Sequence, residues 1–508
     1  MRLSHLICRL TIISSMLGGG APAVAQKPDP LTASAEKFFG TSRIYTFHLT
    51  IDADEFASMQ PDSGQKWFAT TASGSRKYIK VKAHLEFDGL DMGYIGIRYK
   101  GNVLMLNSKN ELKRSLKLDF NEQDKEKTFF GLKKLNLNSN TTDPSQLREA
   151  LGYYVFRESG IPAPRTAFGR VYLTVPGRYS KQYSGLYTVV EQVDQRFLKD
   201  RFGKKTGLLL KPELLNGLPD LGDEWGVYGK QYREKIETDP MAARRFISFV
   251  RFLKESSDQD FAKNIGEFLD LQEFLGFLAI ETIIVNLDSP LTLNHNYYIT
   301  INPTTNRMVW IPWDLNKAFG GLAVGNLPAE DLSVTKPCRP GKFKLADRVL
   351  SIPSLNEEYR RLVKEIVSKN LTEKRMDELL KKMAETIRDA VQEDKLASLE
   401  EFEKTFSGPG TPAKSGGENA NPPLTASKPS IQVSRPPGKQ TGISRRRDGT
   451  AVLSREFLSN RRASIMEQLE DKRQGWTPNA MSLSDFWEAR RNRTQPSKLP
   501  ETKATGNQ

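Results

Sequence analysis

Residues 286–321 constrain this chain more than any other segment, because they prescribe three elements and how those elements meet. The segment follows an almost wholly apolar run, FLGFLAIETIIV, which is typical of a helix buried in the centre of a domain. Two strand-like runs, Tyr297–Ile301 and Met308–Pro312, then flank a turn-rich stretch. This pattern predicts a β-hairpin packed beside a buried helix.

The open end of that hairpin is expected to collect three oxygen-bearing side chains. Pairing of the two strands places Asn296 opposite Trp313 and therefore beside Asp314, since directly opposed residues lie roughly 4.5–5.5 Å apart. Asp288 reaches the same place from the end of the apolar helix. Two carboxylates and an amide oxygen suit a hard cation such as Mg²⁺. The sequence pattern also allows a purely structural role, in which an Asp at these positions caps a turn or makes local hydrogen bonds.

The region before the helices is rich in predicted strands. Residues 45–51 and 79–87 alternate apolar and polar side chains, as half-buried strands do. A helix should follow, with Asp143 as its cap, Pro144 in its first turn and Gly160 beyond its end. It has apolar groups on both faces, which favours a position between two layers. From about residue 198 the pattern is mainly helical, so the sequence predicts an α+β fold.

A series of motifs in a fixed order carries a family resemblance. The series NLDSP, HNYY and IPWDLNKAFGG (286–321) resembles the signature of the CotH (spore coat protein H) kinase family, a family of atypical protein kinases. Upstream runs follow the same family's order: IRYKGN (97–102), KRSLKLDF (113–120), GLKKLNLNSNTTDPSQLREAL (131–151), GIPAPRT (160–166) and GLYTVVEQVD (185–194). The resemblance covers roughly residues 43–370. It implies a two-lobed atypical protein-kinase-like fold, with a β-rich N-lobe (43–196) and a mainly helical C-lobe that carries the hairpin (197–406).

The resemblance also implies roles for the residues around the hairpin. Asp314 would bind the metal, as the Asp of the DFG motif does in ordinary kinases, and Asn296 would be the second metal ligand. Asp288 matches the catalytic aspartate, which accepts the proton of the attacking hydroxyl. His295 would orient Asp288 or contact the substrate, although a His beside two tyrosines can also be structural.

The β-rich part would supply the groups that bind phosphate. We predict Lys117 as the phosphate-contacting lysine and Glu149 as its partner on the following helix. Other residues that could contact phosphate or line the nucleotide cleft are Arg98, Lys100, Glu191 and Lys211.

The implied reaction is transfer of the ATP γ-phosphate to Ser or Thr of a surface or envelope protein, with one or two Mg²⁺ or Mn²⁺ ions. The chain has no HExxH, GxSxG or P-loop motif, which speaks against zinc hydrolases, serine hydrolases and P-loop enzymes. Two departures favour an alternative, a non-catalytic (pseudokinase-like) envelope scaffold. Asn316 stands where the family has an acidic residue, and residues 103–107 lack the Ser-rich character expected there.

The chain begins like an exported protein. Arg2 and Arg9 precede or border a short apolar run at 10–17, and Ala-Val-Ala at 23–25 is typical of a cleavage site. Residues 1–25 are therefore predicted as a cleaved signal peptide, with an uncleaved anchor as the alternative. The mature protein would be secreted or extracytoplasmic, in a periplasm or cell envelope. Cys338 would be its only cysteine, which excludes an internal disulfide.

Three further segments are assigned by composition. Residues 26–42 are predicted to be flexible, and 407–450, rich in Gly, Pro and Ser, a disordered insert. Residues 451–476 are amphipathic and predicted to dock on the helical lobe as a helix, whereas 477–508 form a mostly disordered basic tail. Residues 408–508 carry 17 Lys and Arg against 9 Asp and Glu, within a formal charge of +14 for the chain. These basic C-terminal residues could contact anionic polymers, and no specific nucleic acid partner is expected.

Overall fold

A computed structural model describes residues 29–60, 68–70, 76–101, 111–213, 215, 217–323, 327–406 and 451–478. The strands in these ranges are β1 (Ile44–Thr50), β2 (Phe68–Thr70), β3 (Arg76–Tyr78), β4 (Lys80–Phe87), β5 (Leu90–Tyr99), β6 (Leu116–Asp119), β7 (Lys134–Asn138), β8 (Thr166–Val175), β9 (Tyr179–Glu191), β10 (Leu209–Leu210), β11 (Tyr297–Ile301) and β12 (Met308–Pro312). The helices are α1 (Ala35–Phe38), α2 (Ala53–Ser58), α3 (Arg148–Glu158), α4 (Gln195–Phe202), α5 (Trp225–Gln231), α6 (Pro240–Glu255), α7 (Asp258–Phe268), α8 (Leu271–Ile283), α9 (Lys344–Leu350), α10 (Pro353–Asn370), α11 (Glu373–Glu393), α12 (Leu399–Glu403) and α13 (Arg455–Leu469). The α+β class is thus confirmed.

Seven of the described strands close into a barrel in the order β1-β4-β5-β6-β7-β9-β8. Neighbouring strands are antiparallel except β1 and β8, whose parallel pairing closes the barrel. The predicted alternation holds in β1, where Tyr45, Phe47 and Leu49 are buried. Aromatic rings fill much of the interior; among them Phe120 and Phe129 are stacked with centroids 4.7 Å apart. The barrel therefore has its own hydrophobic core.

A second, larger core lies among the helices. Helix α8 is at its centre: ten of its residues, from Phe274 to Ile283, are buried. The hairpin has the predicted bounds and register, with Tyr297 opposite Pro312. The short strand β10, which the sequence analysis missed, adds to β11 as a third strand.

Helix α3 packs against both strand β8 of the barrel and helix α8, as its apolar faces predict. Its side chains, including Leu151 and Phe156, pack in the helical core although it was assigned to the β-rich segment 43–196. It begins at Arg148, later than the predicted start at Pro144. The reason is that the Asp143 carboxylate accepts the N–H groups of Ser145 (3.0 Å) and Arg148 (2.8 Å), which holds residues 143–147 in a turn. Gly160 lies beyond the end of the helix with φ +77°, as expected.

The chain ends and the insert fall partly outside the described ranges. The predicted signal peptide, the insert 407–450 and residues 479–508 lie outside them. Residues 29–42, assigned to a flexible segment, include α1, whose Phe38 is buried in the barrel core. Helix α13 packs on the helical core through Phe457 and Ile465. Within the described ranges, none of the helices has the length and apolar character that crossing a bilayer requires.

Candidate functional site

The backbone at the open end of the hairpin brings Asn296 next to the strand exit at Asp314. The Trp313 N–H donates to the Asn296 carbonyl oxygen at 3.0 Å, which continues the ladder one residue beyond the strands. Asn296 and Asp314 both have left-handed backbones, with φ +61° and +56°. Asn and Asp tolerate this conformation better than other residues with a side chain. The residue types therefore fit the sharp change of direction on both strands.

Asp288 is tied to the same place by two hydrogen bonds. The Asn296 Nδ2 donates to the Asp288 carbonyl oxygen at 2.8 Å, and the His295 Nε2 lies 2.6 Å from the Asp288 Oδ1. The side chains of Asp288 and His295 keep 23% and 20% of their surface exposed, so both are half-buried and partly open to solvent. Burial acts to lower the pKa of His295, but Asp288 and then Asp314 outweigh it, and the pKa is raised. Both carboxylates thus act on one imidazole.

A buried lysine–carboxylate arrangement faces this cluster from the barrel and α3. The Lys100 Nζ donates to the Asn138 Oδ1 at 2.5 Å, and the Asn138 Nδ2 donates to both Glu149 oxygens at 2.7 and 2.6 Å. Burial lowers the pKa of Lys100 to about 8, against the attraction of Glu149 and Asp314. Burial, with Asp314 in the same direction, raises the pKa of Glu149 to about 8. Asp314 therefore lies close enough to influence both members.

Lys100, and not the predicted Lys117, is the lysine linked to Glu149 in the structure. Lys117 does not face Glu149 in the structure; its Nζ donates to the Gln192 side chain at 2.6 Å. Burial lowers the pKa of Lys117 well below its usual value, and the nearby charges of Arg98 and Lys100 act in the same direction. The lysine that meets the helix carboxylate is Lys100, through Asn138.

Arg98 and Lys117 belong to a row of side chains across the barrel. Lys80 is paired with Arg98, Arg98 with Lys117, and Lys117 with Asn136. The residues beside them, such as Ile97 and Leu118, point into the barrel and are fully buried. Since successive side chains of a strand point to opposite faces, the row lies on the outer surface of the barrel. Arg98 and Lys117 in this row lie close enough to Lys100 for the three charges to influence one another.

Glu191 and Lys211 have different surroundings. Glu191 is fully buried, and its carboxylate is bound by Arg165 and Arg201, so its interpretation as a cleft residue does not fit. Lys211 lies at the site: its Nζ is 5.9 Å from the ring centroid of Trp313, and the Lys100 Nζ is 5.1 Å from the same centroid.

Two site residues were missed by the sequence analysis. Asn138 bridges Lys100 and Glu149, and the Tyr153 hydroxyl accepts the Asp314 N–H at 3.0 Å. Asn138 stands in the motif GLKKLNLNSN, where a polar residue follows a strand residue on the face opposite to Leu137. That alternation was the only signal for it. Tyr153, on the inner side of α3, is indistinguishable in sequence from a core aromatic residue.

Asp314 and Asn296 are the oxygen-bearing side chains at the hairpin that could bind a hard divalent cation together with phosphate oxygens. Among the residues that the structure describes, no three His, Cys, Asp or Glu side chains form a group that could hold a metal. Asp314 and Asn296 would therefore supply two oxygen ligands, and the remaining positions would need water or phosphate, as Mg²⁺ commonly has in phosphate-binding sites. Asn316 is half-buried in the short 3₁₀ turn that follows Asp314, where a second acidic residue was expected.

Comparison with known proteins gives one family and two curated relatives. Residues 97–406 match the family described as CotH kinase protein. The chain is 24% identical over 318 residues to inner spore coat protein H of Bacillus subtilis (strain 168), which covers 61% of this chain and 82% of that protein. It is 26% identical over 256 residues to an inner spore coat protein H-like protein of the same organism, covering 50% and 68%. The motifs quoted above lie inside the matched range.

Proposed function

Since the chain belongs to the CotH kinase family, we propose that it is a metal-dependent phosphotransferase that moves the γ-phosphate of ATP to a Ser or Thr hydroxyl of a surface or envelope protein. The barrel with Lys100 and Glu149 would act as the N-lobe of an atypical protein kinase. The helical part with the hairpin would act as its C-lobe.

The observation that carries this proposal is the convergence of titratable side chains at the hairpin. Lys100 and Glu149 are bridged by Asn138, and the charge of Asp314 acts on both of them. Asp314 and Asp288 also act together on His295. Phosphoryl transfer requires a cation site, a group that orients the hydroxyl and a lysine that neutralises phosphate charge, and we propose these residues for the three roles.

Each residue has a role that follows from its contacts. Asp288 would accept the proton of the attacking hydroxyl, held in orientation by the His295 Nε2 at 2.6 Å. Lys100, with a pKa of about 8, is mostly protonated at neutral pH, and an anionic phosphate would favour that form further. Asp314 and Asn296 would hold the divalent ion, which when bound neutralises charge on the phosphates. Lys211 and the basic row with Arg98 and Lys117 would draw a polyphosphate into the cleft.

The place and partner of the reaction are part of the proposal. The N-terminal 25 residues have the pattern of a signal peptide, and both relatives are named as spore coat proteins or similar to one. We therefore place the protein outside the cytoplasm, acting on a coat-like or envelope protein. The basic C-terminal residues would add contacts with anionic polymers.

The test is phosphate transfer by the purified mature chain, incubated with labelled ATP, Mg²⁺ or Mn²⁺ and candidate surface proteins. Asp314→Ala is expected to abolish the transfer. Asp223→Ala is the matched control, because that carboxylate is 82% exposed and pairs only on the surface with Arg251. Transfer unchanged by Asp314→Ala would reject the proposed site.

A non-catalytic scaffold is the second candidate, and Asn316 is the observation that favours it. Losing a carboxylate next to Asp314 would weaken binding of a divalent ion at that position. A nucleotide-dependent thermal shift separates the two functions. Nucleotide and Mg²⁺ at about 100 times the dissociation constant should stabilise an active site by about 2.7 kcal/mol. A scaffold whose cleft no longer binds nucleotide would melt at an unchanged temperature.

A further inference from the structure

The segment 451–476 lies outside the residues matched by the family, which end at 406. We infer that it is nevertheless a structural part of the candidate site: Arg461 and Ala451 position Asp288 and Asp314 through the backbone that leads to or from each. The meaning of the two carboxylates rests on the proposed function. The positioning itself rests only on the hydrogen bonds that Arg461 and Ala451 make to the backbone.

Arg461 of α13 binds the end of the helix that leads to Asp288. Its side chain is 2% exposed, and the guanidinium donates to the carbonyl oxygens of Thr282 (2.9 Å) and Ile283 (3.3 Å). The last carbonyls of a helix have no partner within the helix, and a cation there complements the helix dipole. Asp288 follows only a few residues later. Arg461 therefore fixes the point from which its loop departs.

The same guanidinium also fixes a second stretch of backbone. It donates to the carbonyl oxygens of Glu330 (2.9 Å) and Leu332 (2.7 Å), so that four carbonyl groups from two chain segments share one buried cation. The far end of the segment is attached to that stretch as well. The Trp476 N–H donates to the Asp331 carbonyl at 2.9 Å, and the Ser333 N–H donates to the Trp476 carbonyl at 2.8 Å.

Ala451 joins the loop that follows Asp314. Its N–H donates to the Gly320 carbonyl at 3.1 Å, and its own carbonyl accepts the Arg148 Nη2 at 2.6 Å. The Arg148 Nη1 donates to the carbonyls of Ala318 (2.6 Å) and Phe319 (2.7 Å). Because Arg148 directly precedes Glu149 on α3, one residue of the distant segment closes a contact between the Asp314 loop and the helix of the lysine–carboxylate arrangement.

The test compares hydrogen exchange in the full-length protein and in two variants of the same helix. Arg461→Ala is expected to speed exchange at least about 10-fold at residues 282–290 and 318–321. Arg455→Ala is the matched control, because Arg455 pairs with Asp377 of α11 at 3.2 Å and does not contact either stretch. It should leave exchange there unchanged.

A conservative variant and a kinetic measurement complete the design. Arg461→Lys keeps the charge but cannot span four carbonyls, so it should fall between the wild type and Arg461→Ala. It carries the test if Arg461→Ala does not fold. In phosphate transfer, Arg461→Lys should lower kcat by up to about 100-fold while the KM for ATP changes little, since a misplaced group costs rate.

Unchanged exchange at both stretches in a folded Arg461 variant would overturn the inference. A wild-type chain that transfers no phosphate would overturn the proposed function alone, because hydrogen exchange reports the order of the backbone whether or not the site turns over.

Discussion

Replacing Gly320 by Ala measures how closely the loop after Asp314 is packed. Gly320 is buried and has φ +73°, a conformation that favours glycine. An added Cβ would lie 2.7 Å from the Ala329 Cβ and 2.9 Å from the Ala451 Cβ. Both neighbours are Cβ atoms rather than the ends of flexible side chains, so the backbone has to move to make room.

The expected loss has two parts. A residue with a Cβ in the left-handed region costs roughly 1–2 kcal/mol. Overpacking of a tight interior adds about 1–3 kcal/mol. The free energy of unfolding should therefore fall by about 2–5 kcal/mol. Gly203→Ala isolates the first part, because Gly203 has φ +72° and no atom within 4 Å of the added Cβ.

The assay is urea unfolding of the wild type and both variants, monitored by circular dichroism. The free energies are compared if the dependence of the unfolding free energy on urea concentration is the same in all three proteins. The difference between the two variants should be about 1–3 kcal/mol, which is the overpacking part alone. Equal losses in Gly320→Ala and Gly203→Ala would refute the close contact between residue 320, Ala329 and Ala451.

Three other predictions concern titratable side chains. Lys100→Met should lower phosphate transfer by about 100-fold or more and Lys117→Met by less, because only Lys100 meets the helix carboxylate; equal rates of transfer of labelled phosphate would contradict this. The pKa of His295 is raised because the neighbouring carboxylates outweigh burial. Protonated His295 therefore stabilises the folded state in full below pH about 6.5, and this stabilisation is lost as the pH rises through the raised pKa. The difference in unfolding free energy between wild type and His295→Gln should thus shrink with rising pH, whereas a constant difference would exclude the effect. Asp394→Ala removes the carboxylate that pairs with the Lys113 ammonium, both 1% exposed, and should cost roughly 3–5 kcal/mol in urea unfolding, most of which the double variant with Lys113→Met should recover.

The sequence predicted the hairpin and the meeting of Asn296 with Asp314 because these depend on neighbouring residues. Strand alternation and a turn-rich connection set the register, and the structure has Tyr297 opposite Pro312 as expected. The match over 97–406 confirms the CotH family, and the ordered motifs lie within that range. The chemical roles of the site residues stay predictions.

The choice of lysine could not be made from local pattern. Lys117 lies on β6 and Lys100 directly follows β5, both in segments of alternating side chains, and which of them meets α3 depends on where that helix packs against the barrel. Closure of the barrel through β1 and β8 was equally hidden, since a parallel pairing between distant strands leaves no signal in either strand alone. Strand β7 was missed because KLNLN has only two apolar residues, Leu135 and Leu137, to mark its alternation.

The parallel pairing of β1 with β8 also has a consequence for folding during synthesis. Residues of β1 leave the ribosome long before β8 is made, and one edge of the strand stays open until then. An open strand edge can recruit other chains, and pairing between distant segments is slow. Substitutions that slow formation of the β8–β9 hairpin should therefore lower the yield of newly made protein while leaving the free energy of unfolding of the folded protein unchanged.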